Sequence, residues 1–369
     1  MSNHSIAGAE ISGANNRTDA VVPPPVGVIK LGIDVHGESY VGVRQVEQEV
    51  AQPAQRFKLE GLLGFVRRQV AVAQAVHSCY EAGPFGYVLH RQLTRLGVRN
   101  VVLRPRNWAT YGERVKTDQG DAAALCSCLD RYVAGNRRAL AVVRVPTEAE
   151  EQARAEGRQR QSLQKHRVRL ILQGRSAALL RGCKLPREWW TVPVLARLAG
   201  EVPADLHRML QRWQGVIVVV ETELEGLSRQ LEQAAPQGVP IGLGAMSWEL
   251  IGREVGDWHR FHNRRQVASY TGLCPSEHSS GHSRQQGAIT RHGNPRLRHL
   301  LIEAVWRLWR FNPEYHALVK WRPSLGAQPL SKARKKKIIV AVARQLAVDL
   351  WRLNTGRIRA VQLGLQLAA

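Results

Sequence analysis

After Pro203 the chain places Leu206, Leu210, Trp213, Ile217, Val220, Leu224, Leu227 and Leu231 at alternating spacings of four and three. Eight consecutive positions on that period make a heptad seam, which requires a long helix paired along its length with another. Gly215 and Gly226 weaken the pattern only slightly. A partner is available just upstream, where Thr147-Glu148-Ala149-Glu150 has the form of a capping box and a charged, helix-favouring stretch continues to about Leu180. Residues 146–236 therefore read as a helical coiled-coil region. The seam is satisfied equally by a second subunit or by folding back on the preceding helix, and both pairings stay open.

The pattern on the N-terminal side is different in kind. Val28 to Ile33 and Tyr40 to Val46 are β-rich runs separated by a polar turn containing His36, Gly37 and Glu38. Val76 to Tyr80 is a further apolar run, followed by Glu81-Ala82-Gly83-Pro84, a helical stretch from Phe85 to Leu96 and a strand from Val98 to Leu103. Residues 28–145 thus read as an α/β sheet domain. In such sheets chemistry collects beyond the carboxyl ends of strands. Residues 1–27, rich in Ser, Asn, Gly and Ala, lack a basic start and an apolar core, so they are expected to be a disordered tail and not a secretory signal. Pro23, Pro24 and Pro25 close that tail.

The C-terminal side is dominated by charge. Residues 259–369 hold 20 Lys and Arg against Glu277, Glu303, Glu314 and Asp349, and so carry +16 of the chain's net +23. Asn294 and Pro295 fit the cap and first position of a helix with Leu297, Leu300, Leu301, Ala304, Val305 and Leu308 on its apolar face. A second helix is expected to open near Ser331 and close at Gly356, with Lys332, Arg334, Lys335, Lys336 and Lys337 in its first turns. Residues 237–369 read as a mostly α-helical basic domain. A charge of this size attracts a polyanion, and nucleic acid is the leading partner.

Composition excludes several classes. No apolar run approaches the roughly 20 residues that span a bilayer, so no membrane partner is expected. Five cysteines without a CxxC pair give neither a disulfide framework nor a zinc knuckle, and fit reduced thiols in a cytosol.

Four carboxylates could carry chemistry. Asp34 ends the run Leu31-Gly32-Ile33, Glu81 ends a later strand, and Asp118 and Asp121 lie three apart, on one helix face, in Lys116-Thr117-Asp118-Gln119-Gly120-Asp121-Ala122. Alone, each reads as a turn, surface or cap residue, and Asp118 could be the N-cap of the helix bearing Asp121. Clustered, they repel one another and call for a cation, and oxygen donors select hard Mg²⁺ or Mn²⁺. A second candidate is Pro275-Ser276-Glu277-His278-Ser279-Ser280-Gly281-His282-Ser283 and its continuation to Gly293, which reads as a flexible loop of small polar residues flanked by Arg284 and Arg291.

In this order the four acids and the serine segment resemble the DEDD-type transposases of bacterial insertion sequences, the family of RNA-guided bridge recombinases. The resemblance runs from about Val28 to about Trp351. It rests on Gly32-Ile33-Asp34, Glu81-Ala82-Gly83, Lys116-Thr117-Asp118 with Asp121-Ala122, Tyr270 to Pro275, Ser279-Ser280-Gly281 and Ile289 to Asn294. It implies a RuvC-like, RNase H-type first domain with Asp34, Glu81, Asp118 and Asp121 as ligands of Mg²⁺ or Mn²⁺. It also implies Ser280 as a nucleophile toward a DNA phosphodiester, a dimer or tetramer, and a structured guide RNA. Ser279 is a rival for the nucleophile, and Gly182 to Val202, with Trp189 and Trp190, has no assigned place. Arg284, Arg291, Arg296, Arg298, Lys335 and Lys336 are the expected nucleic-acid contacts. The competing readings are a metal-dependent junction nuclease without a covalent intermediate, a non-catalytic architectural protein, and an actin-like sugar or acetate kinase, against which the basic tail argues.

Overall fold

The computed structural model describes residues 26–105, 117–281, 283, 285–326 and 331–368. They form two compact units, Met1–Val145 and Pro146–Ala369. Of the expected tail, residues 1–25 lie outside the described residues, whereas Val26 and Gly27 already belong to the first strand, since Val26 pairs with Ala73.

The first unit contains β1 (Val26–Val35), β2 (Tyr40–Val46), β3 (Gln55–Phe57), α1 (Leu59–Val72), β4 (Ala73–Glu81), α2 (Val88–Arg95), β5 (Arg99–Leu103), α3 (Asp118–Val133) and β6 (Val142–Val143). Its mixed sheet has the order β3-β2-β1-β4-β5-β6, with β1, β4 and β5 mutually parallel and the remaining pairs antiparallel. The expected hairpin forms, with Val35 opposite Tyr40.

Alternation along β1 decides what covers each face. Ile29, Leu31 and Ile33 are buried with Leu62 and Val66 of α1 and Leu89 and Leu93 of α2. On the other face Ala122 and Cys126 of α3 pack with Val41 and Val43 of β2. Gly32 is what lets α3 come so close: a Cβ there would lie 2.4 Å from both the Ala122 carbonyl oxygen and the Cys126 nitrogen. The buried Lys30 ammonium, on the same face, donates to Asp130 of α3 and to the Glu47 carbonyl. Burial raises Cys79 and pushes the Cys126 thiol up to about 11, so both are protonated packing groups. Thr117 is the N-cap of α3, its hydroxyl accepting from the Gly120 N–H at 3.2 Å, which leaves Asp118 as the first helical residue and not the cap.

The second unit contains α4 (Glu148–Leu179), α5 (Val192–Arg197) with a 3₁₀ turn at Leu198–Gly200, α6 (Ala204–Ala234), α7 (Ala245–Val255), α8 (Arg264–Thr271), β7 (Pro275–Glu277), β8 (Gln286–Ile289), α9 (Pro295–Phe311), α10 (His316–Gly326) and α11 (Lys332–Asn354). The capping box at Thr147 and Glu150 is present with both hydrogen bonds.

The long helices pair within the chain. Arg160 reaches Ser228 at 2.8 Å, Arg167 reaches Glu221 at 2.6 Å and Arg181 reaches Asp205 at 3.0 Å, a register that falls on α6 as it rises on α4. This is an antiparallel helical hairpin, so the preceding helix takes the seam. It takes one column fully: Leu210, Ile217, Leu224 and Leu231 are buried, while Trp213, Val220 and Leu227 are half-buried. The previously unplaced Gly182 to Val202 closes this hairpin. Trp189 is wholly buried, donates to the Ile171 carbonyl at 3.2 Å and fills the notch left by Gly174, where a Cβ would lie 2.2 Å from the ring.

Helices α7 to α11 share the largest core, in which Leu301, Val305 and Leu308 of α9 meet Val342, Ala343 and Leu346 of α11. Asn294 caps α9 by accepting from the Arg296 and Leu297 N–H groups at 3.0 and 3.1 Å, and Ser331 caps α11. The helical hairpin and this basic core lie in one compact unit.

Gly32→Ala is expected to destabilise the full-length protein by about 1–3 kcal/mol through overpacking against fixed backbone. Gly61→Ala, inside α1 with only Phe57 at 3.9 Å from the new methyl, is expected to be neutral or stabilising by up to about 1 kcal/mol. Urea melts of both variants provide the check, and equal effects would contradict the close-approach account.

Candidate active site

The acids sit where the sheet topology puts them. β1 and β4 are parallel with Gly32 opposite Cys79, and that register carried two residues further sets Asp34 beside Glu81 at the carboxyl ends of the strands. The start of α3 supplies Asp118 and Asp121. Asp34 and Asp118 come together in one group of potential ligands, and a residue that reads in the sequence as part of the turn joins them. His36 Nε2 lies 3.0 Å from Asp34 Oδ2 and 3.3 Å from Asp118 Oδ1, and Arg56 of β3 reaches Asp118 Oδ2 at 3.0 Å.

Ligand atoms of Asp34, His36 and Asp118 all lie within 4.8 Å of one another, the one such group among the described residues, and Glu81 and Asp121 are not part of it. Two carboxylates and an imidazole at this separation suit a divalent cation, the carboxylates favouring Mg²⁺ or Mn²⁺. His36 was legible in principle, because side chains two residues apart at a strand end point to one face.

The serine segment is a short β-hairpin and not the flexible loop its composition implied. β7 and β8 pair from Pro275 with Ile289 to Glu277 with Gln286, His278 donates to the Gln285 carbonyl at 2.9 Å, and Ser280 and Ser283 exchange backbone hydrogen bonds at 3.1 and 3.0 Å. Gly281, in the left-handed region at φ +53°, makes the turn between them. The Ser279 hydroxyl donates to Glu277 at 2.9 Å, whereas Ser280 stands exposed at the tip. Arg284 and His282 lie outside the described residues.

The base of that hairpin is fixed by a buried carboxylate. Glu254 of α7 is 5% exposed and accepts from Arg158 of α4 at 3.1 and 3.2 Å and from the Asn294 side chain at 2.7 Å. Its backbone carbonyl accepts from the Tyr270 hydroxyl at 2.9 Å. Asn294 and Tyr270 bracket the hairpin, so one residue ties its two ends to the helical hairpin. Burial pushes the Glu254 carboxyl up, and hydrogen bonds from Arg158 and Asn294 outweigh that, leaving it below the ordinary range.

The expected nucleic-acid contacts divide by environment. Arg291 and Lys336 are exposed. Arg296 is half-buried and donates to Gln161 of α4 at 2.9 Å, and Arg298 donates to the Thr271 carbonyl at 3.0 Å, so both also have structural work. Lys335 lies over two tryptophan rings. Among the described residues no helix is long and apolar enough to cross a membrane.

With this geometry in hand, comparison with known proteins places the chain. The model of the IS116/IS110/IS902 transposase family matches residues 242–320, from just before α7 into α10. A putative transposase, y4rJ of Sinorhizobium fredii, is 32% identical over 75% of this chain and 76% of its own length. The transposase for insertion sequence element IS1111A of Coxiella burnetii is 27% identical over 72% of this chain and 74% of its own. That for IS1328 of Yersinia enterocolitica is 25% identical over 89% and 97%. The chain belongs to the IS116/IS110/IS902 family of insertion-sequence transposases, proteins whose partner is DNA.

Because the Glu254 carboxyl is held low in the folded protein, the unfolded chain takes up a proton first as pH falls. Its contribution is full above about pH 4.5, the ordinary carboxylate range, and is lost as pH drops through the lower folded value. Glu254→Gln is expected to cost about 1–3 kcal/mol near pH 7, a deficit that narrows below about pH 4.5. Urea melts at pH 7, 5 and 3.5 read this directly, and a deficit independent of pH would contradict it.

Proposed function

We propose that this transposase cuts and rejoins DNA strands by a covalent route, with Ser280 as nucleophile and the carboxylates Asp34, Glu81, Asp118 and Asp121 holding Mg²⁺ or Mn²⁺ in a RuvC-like domain. The observation that carries the reading is the convergence of Asp34 and Asp118 at the ends of elements brought together by the β1–α3 contact, in a chain of this family. The strand order, with three antiparallel strands continuing into a parallel β1-β4-β5 set, supports the RuvC-like assignment.

When bound, the cation would supply charge neutralisation at the phosphodiester and activation of oxygen nucleophiles. The chain's own groups do the rest. Ser280 Oγ gives up its proton and forms a bond to phosphorus as the phosphorus–oxygen bond to the departing strand breaks, that strand's oxygen taking a proton. Bond energy is kept in the seryl phosphodiester, and a strand hydroxyl reverses the step to rejoin DNA. Both serines are exposed, and Ser280 is favoured over Ser279 because the Ser279 hydroxyl is committed to Glu277. His36 and Arg56 hold Asp118 in place.

The half-buried Val220 and Leu227 support assembly into a dimer or tetramer, since a solitary helical hairpin leaves part of their surface in contact with water. A structured RNA specifying the DNA sites is the partner proposed for the basic C-terminal region. Exposed Arg291 and Lys336 are proposed to meet phosphates, together with Arg284.

The test mixes full-length protein, co-expressed with RNA from the element's flanks, with labelled junction DNA and Mg²⁺ on a denaturing gel. A labelled band at protein-plus-DNA mass is expected. It should vanish in Ser280→Ala with DNA binding retained, and fall by at least about 100-fold in Asp118→Asn or with chelator. Cutting that persists in Ser280→Ala without an adduct would replace this reading with the metal-dependent junction nuclease.

A further inference from the structure

We propose that Trp306, Trp309 and Lys335 form a stacking site for unpaired bases of a nucleic-acid strand. The inference rests on the reading of the chain as a nucleic-acid enzyme and adds the part of the strand that is gripped and the residues that grip it.

Helix α9 places Trp306 and Trp309 three residues apart, on neighbouring positions of one face. Their ring planes are 11° apart with centroids 5.8 Å from each other. The Lys335 ammonium, from the first turn of α11, lies 4.4 Å from the Trp309 ring centre and 5.3 Å from that of Trp306. Both indoles pack on the core that contains Leu301, Val305 and Leu308, yet both remain only half-buried while those smaller side chains take the fully buried positions. Two near-parallel indoles left partly in contact with water are a costly way to finish a core, and the ammonium over both of them marks the face that a stacked base would take.

The charge around them selects the ligand. Arg307 and Arg310 of α9 and Lys336 and Lys337 of α11 are exposed. Glu303 is the sole acid of α9, and the sole acid of α11, Asp349, is fully buried and bonded to Tyr315 at 2.7 Å and Gln345 at 3.0 Å. Planar aromatic faces inside a cationic field are how proteins hold single strands: bases extend the stack while cations meet the phosphates. Lys335 has a flexible four-carbon stem, so its ammonium can leave the ring face for a phosphate as a base arrives. A duplex keeps its base faces covered, so the site discriminates in favour of unpaired nucleotides of either sugar.

The experiment uses full-length protein and fluorescence anisotropy with end-labelled oligothymidylate, oligouridylate and a hairpin duplex of equal length, over a salt series. Trp309→Leu and Trp306→Leu are each expected to weaken binding of the unpaired oligomers by about 5- to 150-fold, the range given by about 1–3 kcal/mol per stacked base. Duplex affinity should stay within about twofold, because phosphate contacts dominate there. Lys335→Gln should reduce the salt slope for single strands by about 0.7, and Trp309→Phe, which keeps a ring, should restore most of the lost affinity. Loss confined to the ribo- or deoxyoligomer supports the site and assigns its strand. Equal losses for duplex and single strand, or no loss, would refute the stacking site. Failure of the unaltered protein to bind any of the three would instead overturn the nucleic-acid reading on which it rests.

Discussion

The approach of α3 to β1 at Gly32 is the contact on which the rest of the first unit depends. A helix that must touch strand backbone can do so only where no side chain intervenes, and here a methyl group would sit 2.4 Å from two backbone atoms of α3. Two residues beyond that glycine the strand delivers Asp34, and the N-terminal turn of the same helix delivers Asp118. The buried Lys30–Asp130 pair fixes the other end of α3 against the same strand, so the helix is located at two points along its length. The motif Gly32-Ile33-Asp34 is thereby explained as one device: close approach, core anchor and candidate cation ligand in successive residues.

The second unit uses a different strategy for the same purpose. Its serine-bearing hairpin is too short to be stable alone, since an isolated two-stranded hairpin is marginal at best. Its ends are held instead by Tyr270 and Asn294, and both are held by Glu254, which Arg158 links to α4. A buried carboxylate surrounded by donors costs little when every donor is in place and much when one is removed. The tip that carries Ser280 is therefore free to present its hydroxyl while its base is rigid.

Legibility in the sequence followed locality. The caps at Thr147, Asn294 and Ser331 were readable because each is set within three or four residues, and the structure has all three. The heptad seam was readable, but not its partner, because the same stripe serves an intramolecular or an intermolecular helix. Helix α1 went unread, since Gly61 and Gly64 interrupt a face on which only Leu62, Val66 and Gln69 are buried. The serine segment reads as a loop because strands as short as Pro-Ser-Glu and Gln-Gly-Ala-Ile are too brief to show a hydrophobic alternation. At the candidate site, Asp34 and Asp118 were found through their motifs. His36 reads as a turn residue in the sequence, because its meeting with Asp118 depends on a contact spanning 82 positions, which no local pattern encodes.

Anomalous scattering from crystals of the full-length protein soaked in Mn²⁺ shows whether the β1–α3 contact creates a divalent-cation site. A peak coordinated by Asp34 and Asp118 is expected, absent from Asp34→Asn crystals treated identically. Mn²⁺ bound only elsewhere, or a peak that survives that substitution unchanged, would contradict it.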